Sequence, residues 1–522
     1  MANPLFARKP LALLLEEMKG ENRLNRVLGP VQLTALGVGA IIGTGIFVLT
    51  GVAAHDNTGP ALMLSFVVSG LACIFAALCY AEFASMVPIA GSAYTYAYAT
   101  LGELFAWIIG WDLVLEYGVG SATVAHGWSH YFQDLLGIFH YNGKPLQLPL
   151  ALTNAPFDFV NGHFIRTTST IDLPAIIITA IITWILVRGI KESASFNAGM
   201  VMVKLAVVFF VIVVGAFYVN PANWHPFAPY GYAGVSFFGH TLWGQTNAGG
   251  QPIGMLSGAA IIFFAYIGFD AVSTQAEEAK RPNRDVPIGI VASLIICTVL
   301  YIVVSAVLTG MVRYDQIDIN APVSAAFKTV GLTWAQLLIS IGALTGITSV
   351  LLVMMLSQPR IMLAMARDGL LPRGFFAAVH ERFRTPYKST ILTGCFVALA
   401  AGLLPLRLLA ELVNIGTLFA FVIVCAAVLI MRRTDPDAER PFRIWGAPVT
   451  PILGILICLL LMFSLPVENW VRLVVWLAIG FLIYFGYGRK HSVMHNYTAA
   501  ELSRSGASLA GSTRVEPPGP GK

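Results

Sequence analysis

The chain alternates long apolar runs with short polar segments, and this pattern predicts membrane-spanning helices. A helix needs about 20 apolar residues to cross the hydrocarbon core of a bilayer. Twelve runs reach or approach that length, near residues 31–54, 61–86, 103–132, 173–189, 196–218, 255–278, 286–311, 333–362, 389–405, 408–431, 448–465 and 470–487. We therefore expect an all-α integral membrane protein with twelve transmembrane helices.

The composition supports this interpretation and excludes a water-soluble globular protein. Of the 522 residues, 57% are hydrophobic and only 11% are charged, whereas soluble domains carry roughly 25% charged residues. The net charge of +5 follows the predicted membrane topology and does not indicate a nucleic-acid partner. The six cysteines all lie in apolar runs, with spacings that suit neither a disulfide framework nor a metal site.

Lysine and arginine are distributed unequally between the two sides of the predicted bundle. With the N-terminus inside, 25 of the 32 basic residues fall on the cytoplasmic side, six on the opposite side, and one, Lys204, inside a span. An excess of Lys and Arg marks cytoplasmic loops. We therefore expect a multi-pass protein of the cytoplasmic (inner) membrane with both termini in the cytoplasm.

The pattern also divides the chain into successive regions. They are a cytoplasmic N-terminal arm (1–29), a first transmembrane region (30–311), a second one (312–431), two further helices (432–487) and a polar tail (488–522). A first set of five helices fills 30–218, and a second set begins at 255 and continues to 431. The tail is predicted to be disordered because it is polar and low in complexity.

The first span contains the sequence Gly37-Val-Gly-Ala-Ile-Ile-Gly-Thr-Gly-Ile-Phe47, with four glycines in nine residues. Glycine costs roughly 1 kcal/mol relative to alanine inside a helix, so we expect the helix to unwind here. Lipid offers no water to the backbone groups that unwinding frees. The break therefore predicts a polar ligand at membrane depth, and Thr44 adds a hydroxyl to it.

A second interruption lies in the sixth span, where the sequence Phe263–Asp270 places Gly268 and Asp270 at membrane depth. Spans one and six each begin a set of five, and an odd number of helices inserts the two sets in opposite orientations. Interrupted spans at matching positions indicate a transporter binding site. The alternative is that the glycines only permit close helix packing.

Two broken helices offer ligands of both signs. Freed N–H groups and a half-helix N-terminus attract a carboxylate, and freed carbonyls accept hydrogen bonds from an ammonium group. The pair therefore matches the zwitterionic head of an amino acid.

Six motifs in chain order resemble those of the amino acid–polyamine–organocation superfamily, and within it a bacterial member of the cationic amino acid transporter branch. The motifs are Leu36–Phe47, Gly91–Tyr98, Lys191–Asn197, Phe264–Asp270, Glu277–Asp285 and Ala364–Gly369. The resemblance covers nearly the whole chain. It implies a five-plus-five inverted-repeat (LeuT-like) fold with broken helices 1 and 6, two extra C-terminal helices, and alternating access around a central site.

The resemblance also implies which residues bind the substrate. The carboxylate is expected near Ile41, Gly43, Thr44 and Gly45, and the amine at the carbonyls of Ile41, Phe264, Ala265 and Ile267. Phe264 is expected to be the aromatic gate that closes the pocket toward the outside. The alternative for Phe264 is simple packing.

Lys204 lies roughly 12 Å into its predicted helix, and an ionised lysine at such depth costs at least about 2.5 kcal/mol. Desolvation favours the neutral amine, so Lys204 is a candidate for reversible proton coupling. In some members of the resembling family a lysine at this place takes the position of a sodium ion. The alternative is a permanently charged lysine bonded to carbonyls at the first break.

Three carboxyl groups and two histidines also lie in predicted spans. Asp112 and Glu116 share one helix face, and Glu116 is a candidate for the pocket or a proton relay, or else a structural carboxyl. Asp270 is expected to cap a broken helix half or to pair with a basic group. His126 and His130 have metal-compatible spacing, but without a third ligand we prefer a structural role at the outer end of the third span.

The sequence contains no nucleophile–base motif, metal-ligand motif or Walker loop, so we expect a transporter and not an enzyme. The first hypothesis is proton symport of L-amino acids, without a cofactor and without a sodium requirement. The alternatives are a cationic amino acid specialist, an amino acid exchanger and, from another class, a membrane amino acid sensor. The expected partners are an L-amino acid and the lipid bilayer; the oligomeric state stays open, with a monomer compatible with the sequence.

Overall fold

The computed structural model describes residues 6–9, 28–86, 92–160, 163–189, 194–237, 240–248, 250–383 and 385–496. Most of the predicted N-terminal arm (1–29) and most of the predicted tail (488–522) lie outside the described residues. The same holds for Gly91 and for the beginning of the motif Lys191–Asn197.

The described residues are mostly helical. In chain order the α-helices are α1 (Pro30–Ile41), α2 (Thr50–Ala53), α3 (Leu62–Met86), α4 (Ser92–Thr100), α5 (Glu103–Ile138), α6 (Leu173–Arg188), α7 (Ala194–Ala216), α8 (Met255–Ile262), α9 (Pro282–Met311), α10 (Pro322–Thr329), α11 (Thr333–Arg367), α12 (Arg373–Phe376), α13 (Tyr387–Leu403), α14 (Leu406–Thr434), α15 (Val449–Phe463), α16 (Val467–Ile483), α17 (Arg489–His491) and α18 (Val493–Asn496).

By length and composition, seven helical stretches among the described residues could cross a membrane. Four shorter apolar helices, α1, α6, α13 and α15, accompany them. The protein is therefore a multi-pass membrane protein. The predicted apolar runs coincide with helices of this bundle, while the count of twelve spans stays a prediction.

Short β-hairpins occupy the two long loops at 139–172 and 220–253. The paired strands are β1 (His140–Tyr141) with β2 (Lys144–Pro145), β3 (Phe157–Val160) with β4 (His163–Arg166), β5 (Val235–Phe237) with β6 (His240–Trp243), and β7 (Gln245–Thr246) with β8 (Pro252–Ile253). Asn142 and Gly143 join the first pair with φ of 52° and 73°. An Asn-Gly pair suits a two-residue turn because both central residues need positive φ.

The first apolar run is broken as the glycines predict. Helix α1 ends at Ile41, and Ile42 is extended with φ −74° and ψ 105°. The chain resumes as a wide helical turn (Gly45–Leu49), followed by α2 and a second wide turn (Ala54–Thr58). We call Ile42–Thr44 the first break.

The sixth run is broken in a similar way. Helix α8 ends at Ile262, a 3₁₀ turn follows (Phe263–Tyr266), and the chain is extended at Ile267 with ψ 135°. Gly268 has φ 114°, in the region that glycine enters without steric cost. A second 3₁₀ segment (Phe269–Glu278) continues the span. We call Ile267–Gly268 the second break.

The two broken spans cross each other at these glycines. A Cβ on Gly45 would lie 2.3 Å from Ala265 Cα, and a Cβ on Gly268 would lie 2.8 Å from Ala40 O. Each glycine thus admits the backbone of the other span. The first and second breaks lie side by side because no side chain separates them.

Candidate functional site

The structure brings together all seven residues proposed for the substrate head group. Ile41, Gly43, Thr44 and Gly45 lie at the first break, and Phe264, Ala265 and Ile267 lie beside the second, all of them buried. The contact of Gly45 with Ala265 joins the two groups. Their role in binding stays a prediction, since the geometry shows only that the groups meet.

Tyr301 of α9 links the two breaks through one hydroxyl group. Its oxygen lies 2.9 Å from Ile41 O and 2.9 Å from Ala265 O. These are two of the four carbonyls proposed to accept from the substrate amine. A phenol has a single hydrogen to donate, so the two carbonyls share it.

Sequence reasoning missed Tyr301, although a weak signal was available. The residue lies in the middle of an apolar helix and is 1% exposed. A buried tyrosine hydroxyl usually has a hydrogen-bond partner. That signal shows that a partner is needed, but it does not say which one, because Ile41 is 260 positions away in the chain.

Lys204 of α7 binds the first break directly. Its Nζ donates to Gly39 O, to Ile42 O at 3.0 Å and to Ser349 Oγ at 2.9 Å. The side chain is completely buried. The three acceptors match the three N–H donors of an ammonium group.

The contact of Lys204 is common to both hypotheses about its charge. A proton carrier and a permanently charged lysine would each place the nitrogen at the carbonyls of Gly39 and Ile42. For the neutral amine, the hydroxyl of Ser349 can reverse its role and donate to the nitrogen lone pair. Ser349 itself comes from α11 and donates to Gly346 O at 2.7 Å, so a proton change at Lys204 reaches α7, α11 and the first break together.

Helix α5 forms a wall against the first break. A Cβ on Gly127 would lie 2.4 Å from Thr44 Cγ2, so the helix backbone rests on the threonine. One turn further, the Tyr131 hydroxyl donates to Phe47 O at 2.8 Å. The helix thereby holds in place the half of the broken span that follows the first break.

Three buried carboxyl groups lie in α5 and just after the second break. Asp112, Glu116 and Asp270 are each at most 2% exposed. Asp270 accepts from the Tyr117 hydroxyl at 2.6 Å and lies in the first turn after the second break. Of the two roles predicted for Asp270, pairing with a basic group is not found among the described residues, where a tyrosine hydroxyl donates to its side chain. Both oxygens of Asp112 are without a hydrogen-bond partner in the described structure.

The two histidines have separate partners. His126 Nδ1 binds Asp172, which also accepts from the backbone N–H of Ala175 and so caps α6. His130 Nε2 lies 3.0 Å from Asn154 Oδ1. In the described part of the chain, no group of three or more His, Cys, Asp or Glu side chains could hold a metal ion. His126 thus fastens α5 to the start of α6, and His130 fastens it to the loop that precedes α6, which agrees with the structural role preferred from the sequence.

Comparison with known families decides between a transporter and an unrelated membrane protein. The model of a family described as "Amino acid permease" matches residues 28–507. The chain belongs to this family. The resemblance to the amino acid–polyamine–organocation superfamily is thereby confirmed, and the protein is a permease and not an enzyme.

Curated relatives of this permease cover nearly the whole chain. A methylthioribose transporter of Bacillus subtilis (strain 168) is 47% identical over 491 residues, which are 94% of this chain and 99% of the relative. The branched-chain amino acid permease BcaP of the same organism is 48% identical over 496 residues, 95% of this chain and 100% of the relative. The vacuolar cationic amino acid transporter 4 of Arabidopsis thaliana is 38% identical over 437 residues, 83% of this chain and 68% of the relative.

Proposed function

We propose that this permease is a proton-coupled L-amino acid transporter of the cytoplasmic membrane that works by alternating access. In this proposal the chain has twelve spans arranged as two inverted sets of five, at 30–218 and 255–431, with two further helices after them. Both ends of the chain lie in the cytoplasm. The distribution of Lys and Arg supports that orientation.

The observation that carries the proposal is the meeting of the two breaks. Carbonyls of Ile41 and Ala265 point at one phenol hydrogen, and Thr44 at the end of the first break begins the helical turn Gly45–Leu49. The carbonyls suit an ammonium group, and the helix start suits a carboxylate. An α-amino acid carries both charges on one carbon, so its head group fits a site of this kind.

In this proposal the site binds the α-ammonium and α-carboxylate groups, which all amino acids share. The named relatives differ in substrate, since one is a branched-chain amino acid permease and another a cationic amino acid transporter. The side-chain pocket therefore decides which amino acids are carried. We choose an aliphatic amino acid as the first substrate to test, because the branched-chain amino acid permease is 48% identical to this chain over 95% of its length.

Methylthioribose is the second candidate substrate, because a transporter named for it is 47% identical to this chain. That molecule is neutral and has neither an ammonium nor a carboxylate group. It would use the broken helices through hydroxyl groups alone. The two candidates can therefore be separated by the charges that binding requires.

A ligand screen on the purified permease tests the head-group proposal. We expect L-leucine to raise the unfolding temperature, because a ligand bound only by the folded state stabilises it by mass action. The matching amine without its carboxylate and the matching acid without its amine are expected to give no shift. A shift with methylthioribose and none with any of the standard amino acids would overturn the proposal.

Proton coupling is proposed to act through Lys204. Loss of its proton would leave a neutral amine, which binds the carbonyls of Gly39 and Ile42 more weakly than an ammonium group does, and would so loosen the first break beside the substrate. Glu116 is proposed as a further proton-relay or pocket group. An exchanger would show stimulation of uptake by substrate on the opposite side, and a sensor would bind amino acids without accumulating them.

A further inference from the structure

Both ends of the described chain dock at the same end of the helix bundle. The N-terminal segment fits the junction of α4 and α5. There the Glu103 N–H donates to Ala7 O at 3.1 Å, and the Lys9 N–H donates to Tyr98 O at 3.1 Å. Gly102 has φ 99°, and a Cβ there would lie 2.6 Å from the Phe6 backbone. The junction is shaped to receive this segment.

The Lys9 side chain ties the segment to a second place. Its Nζ lies 2.9 Å from Asp368 Oδ1, just past the end of α11. Both residues are nearly buried, at 7% and 8% exposed. The Tyr94 hydroxyl of α4 donates to the other Asp368 oxygen at 2.6 Å. One carboxylate thus joins the N-terminal segment, α4 and α11.

The C-terminal segment reaches the same two places. Ser492 Oγ donates to Glu103, which also accepts from the hydroxyls of Tyr98 and Tyr484 at 2.9 Å each. The Val493 N–H donates to Asp368 O at 2.9 Å. We call Ala7, Lys9, Ser492 and Val493, with the groups they bind, the terminal clasp.

The clasp holds the helix that covers the second break from this side. Helix α4 contacts the segment Phe269–Glu278, which continues the broken sixth span. Tyr96 of α4 stacks on Phe83 at 5.5 Å, and Tyr80 meets both Tyr96 and Phe269 edge to face. A path from the breaks to this end of the bundle requires α4 to move away from these rings.

We propose that the terminal clasp is an autoinhibitory contact that keeps α4 in place and this end of the permease closed. Release of Lys9 from Asp368 removes one of the two ties between α4 and α11, leaving the Tyr94 hydroxyl as the other, and lets the second break open toward the side that carries both chain ends. The proposal rests on the proposed function only in requiring that a site between the breaks opens to this side. It needs no particular substrate or coupling ion.

The test is the accessibility of a thiol placed behind α4. Ser273 in the segment Phe269–Glu278 is fully buried, so Ser273→Cys reports on opening when the permease in inside-out vesicles meets a membrane-impermeant maleimide. With Lys9→Met added, we expect the labelling rate to rise about tenfold, as for a coupling of about 1.4 kcal/mol. The native cysteines are controlled by the same measurement without Ser273→Cys.

Matched variants keep the result specific. Arg8→Met removes the neighbouring charge, whose contact with Asp435 is exposed, and is expected to label at the unmodified rate. Adding Asp368→Asn to Lys9→Met should change the rate little further, because both substitutions break one contact. Ser492→Ala removes only a hydroxyl and should also raise the rate, which keeps the test decisive if Lys9→Met fails to fold.

Equal labelling with and without Lys9→Met and Ser492→Ala would overturn the clasp, as would an equal rise with Arg8→Met. Faster labelling together with a failed amino acid screen would leave the clasp standing and remove the proposed substrate. A thermal shift with an amino acid, together with unchanged labelling rates, would support the proposed substrate and overturn the clasp.

Discussion

The single hydrogen of the Tyr301 hydroxyl serves two carbonyls, those of Ile41 and Ala265. If the substrate ammonium binds these carbonyls, the hydroxyl stands in for it while the site is empty. The residue then lowers the free energy of the empty state more than that of the bound state. Tyr301 would therefore promote release of the ligand, because its hydroxyl satisfies the two carbonyls when the ligand leaves.

Tyr301→Phe tests this role. Without ligand, two buried carbonyls of this variant lack a hydrogen-bond donor, which lowers the free energy of unfolding by about 1–3 kcal/mol for each unsatisfied group. With ligand bound, the substrate ammonium can still donate to both carbonyls. We expect a lower unfolding temperature without ligand and a larger shift with L-leucine, measured by thermal unfolding in detergent. Tyr131→Phe is the matched control, because it loses one bond to Phe47 O outside the breaks. A smaller ligand shift in Tyr301→Phe than in the control would show that the hydroxyl binds the ligand directly.

At the scale of elements, the site depends on how closely two spans cross. The Gly45→Ala substitution places a methyl group 2.3 Å from Ala265 Cα, and the neighbour is backbone that cannot rotate away. The added methyl group forces the first and second breaks apart, and such overpacking lowers the free energy of unfolding by about 1–3 kcal/mol. We expect loss of the ligand-induced thermal shift together with a lower unfolding temperature.

The control for Gly45→Ala is Gly137→Ala near the end of α5, where no atom lies within 4 Å of the added Cβ. It is expected to raise the unfolding temperature slightly, because alanine is favoured over glycine inside a helix, and to leave the ligand shift unchanged. Normal ligand binding by Gly45→Ala would contradict the close crossing of the two spans as a condition for the site.

A second tie between elements fixes α3 to α14. Glu82 is fully buried and binds Arg432 through two hydrogen bonds, and it accepts from the Ile444 N–H at 2.9 Å. Glu82→Gln leaves Arg432 without its partner charge, and breaking a buried pair costs about 3–5 kcal/mol. We expect a clearly lower unfolding temperature in the absence of any ligand.

Asp315→Asn provides the comparison for Glu82→Gln. Its ion pair with Arg313 is exposed, at 44% and 53% of the side chains, and exposed pairs contribute only about 0–1 kcal/mol. The two substitutions make the same chemical change. Equal unfolding temperatures for the two variants would rule out the proposed tie between α3 and α14.

At the scale of the whole molecule, the sequence predicted features that depend on neighbouring residues better than contacts between residues far apart in the chain. The breaks could be predicted from the sequence because glycine acts on its own backbone, as Gly268 shows with its φ of 114°. The position of Lys204 followed from its depth in an apolar run. The pairs Tyr301–Ile41, Lys9–Asp368 and Ser492–Glu103 could not be predicted, because their members lie 260, 359 and 389 positions apart and hydrophobic periodicity carries no information on such pairs.

Polar residues inside the spans were the least predictable part of the site. Asp270 was expected to cap a helix half or to pair with a basic group. It lies in the first turn of the segment Phe269–Glu278, and among the described residues its side chain accepts from the Tyr117 hydroxyl and not from a basic group. His126 and His130 share a helix face yet bind Asp172 and Asn154 on separate segments. Spacing along one helix gives the face of a side chain, whereas its partner depends on how other helices pack against that face.

The central claim is that this permease accumulates L-amino acids in response to a proton gradient through Lys204. The most direct measurement is uptake of labelled L-leucine by purified protein in liposomes with an imposed pH or sodium gradient. The account predicts accumulation with an inward proton gradient and no effect of sodium, and it predicts loss of the pH response in Lys204→Met but not in Lys328→Met. Accumulation driven by sodium alone, or an unchanged pH response in Lys204→Met, would contradict the account.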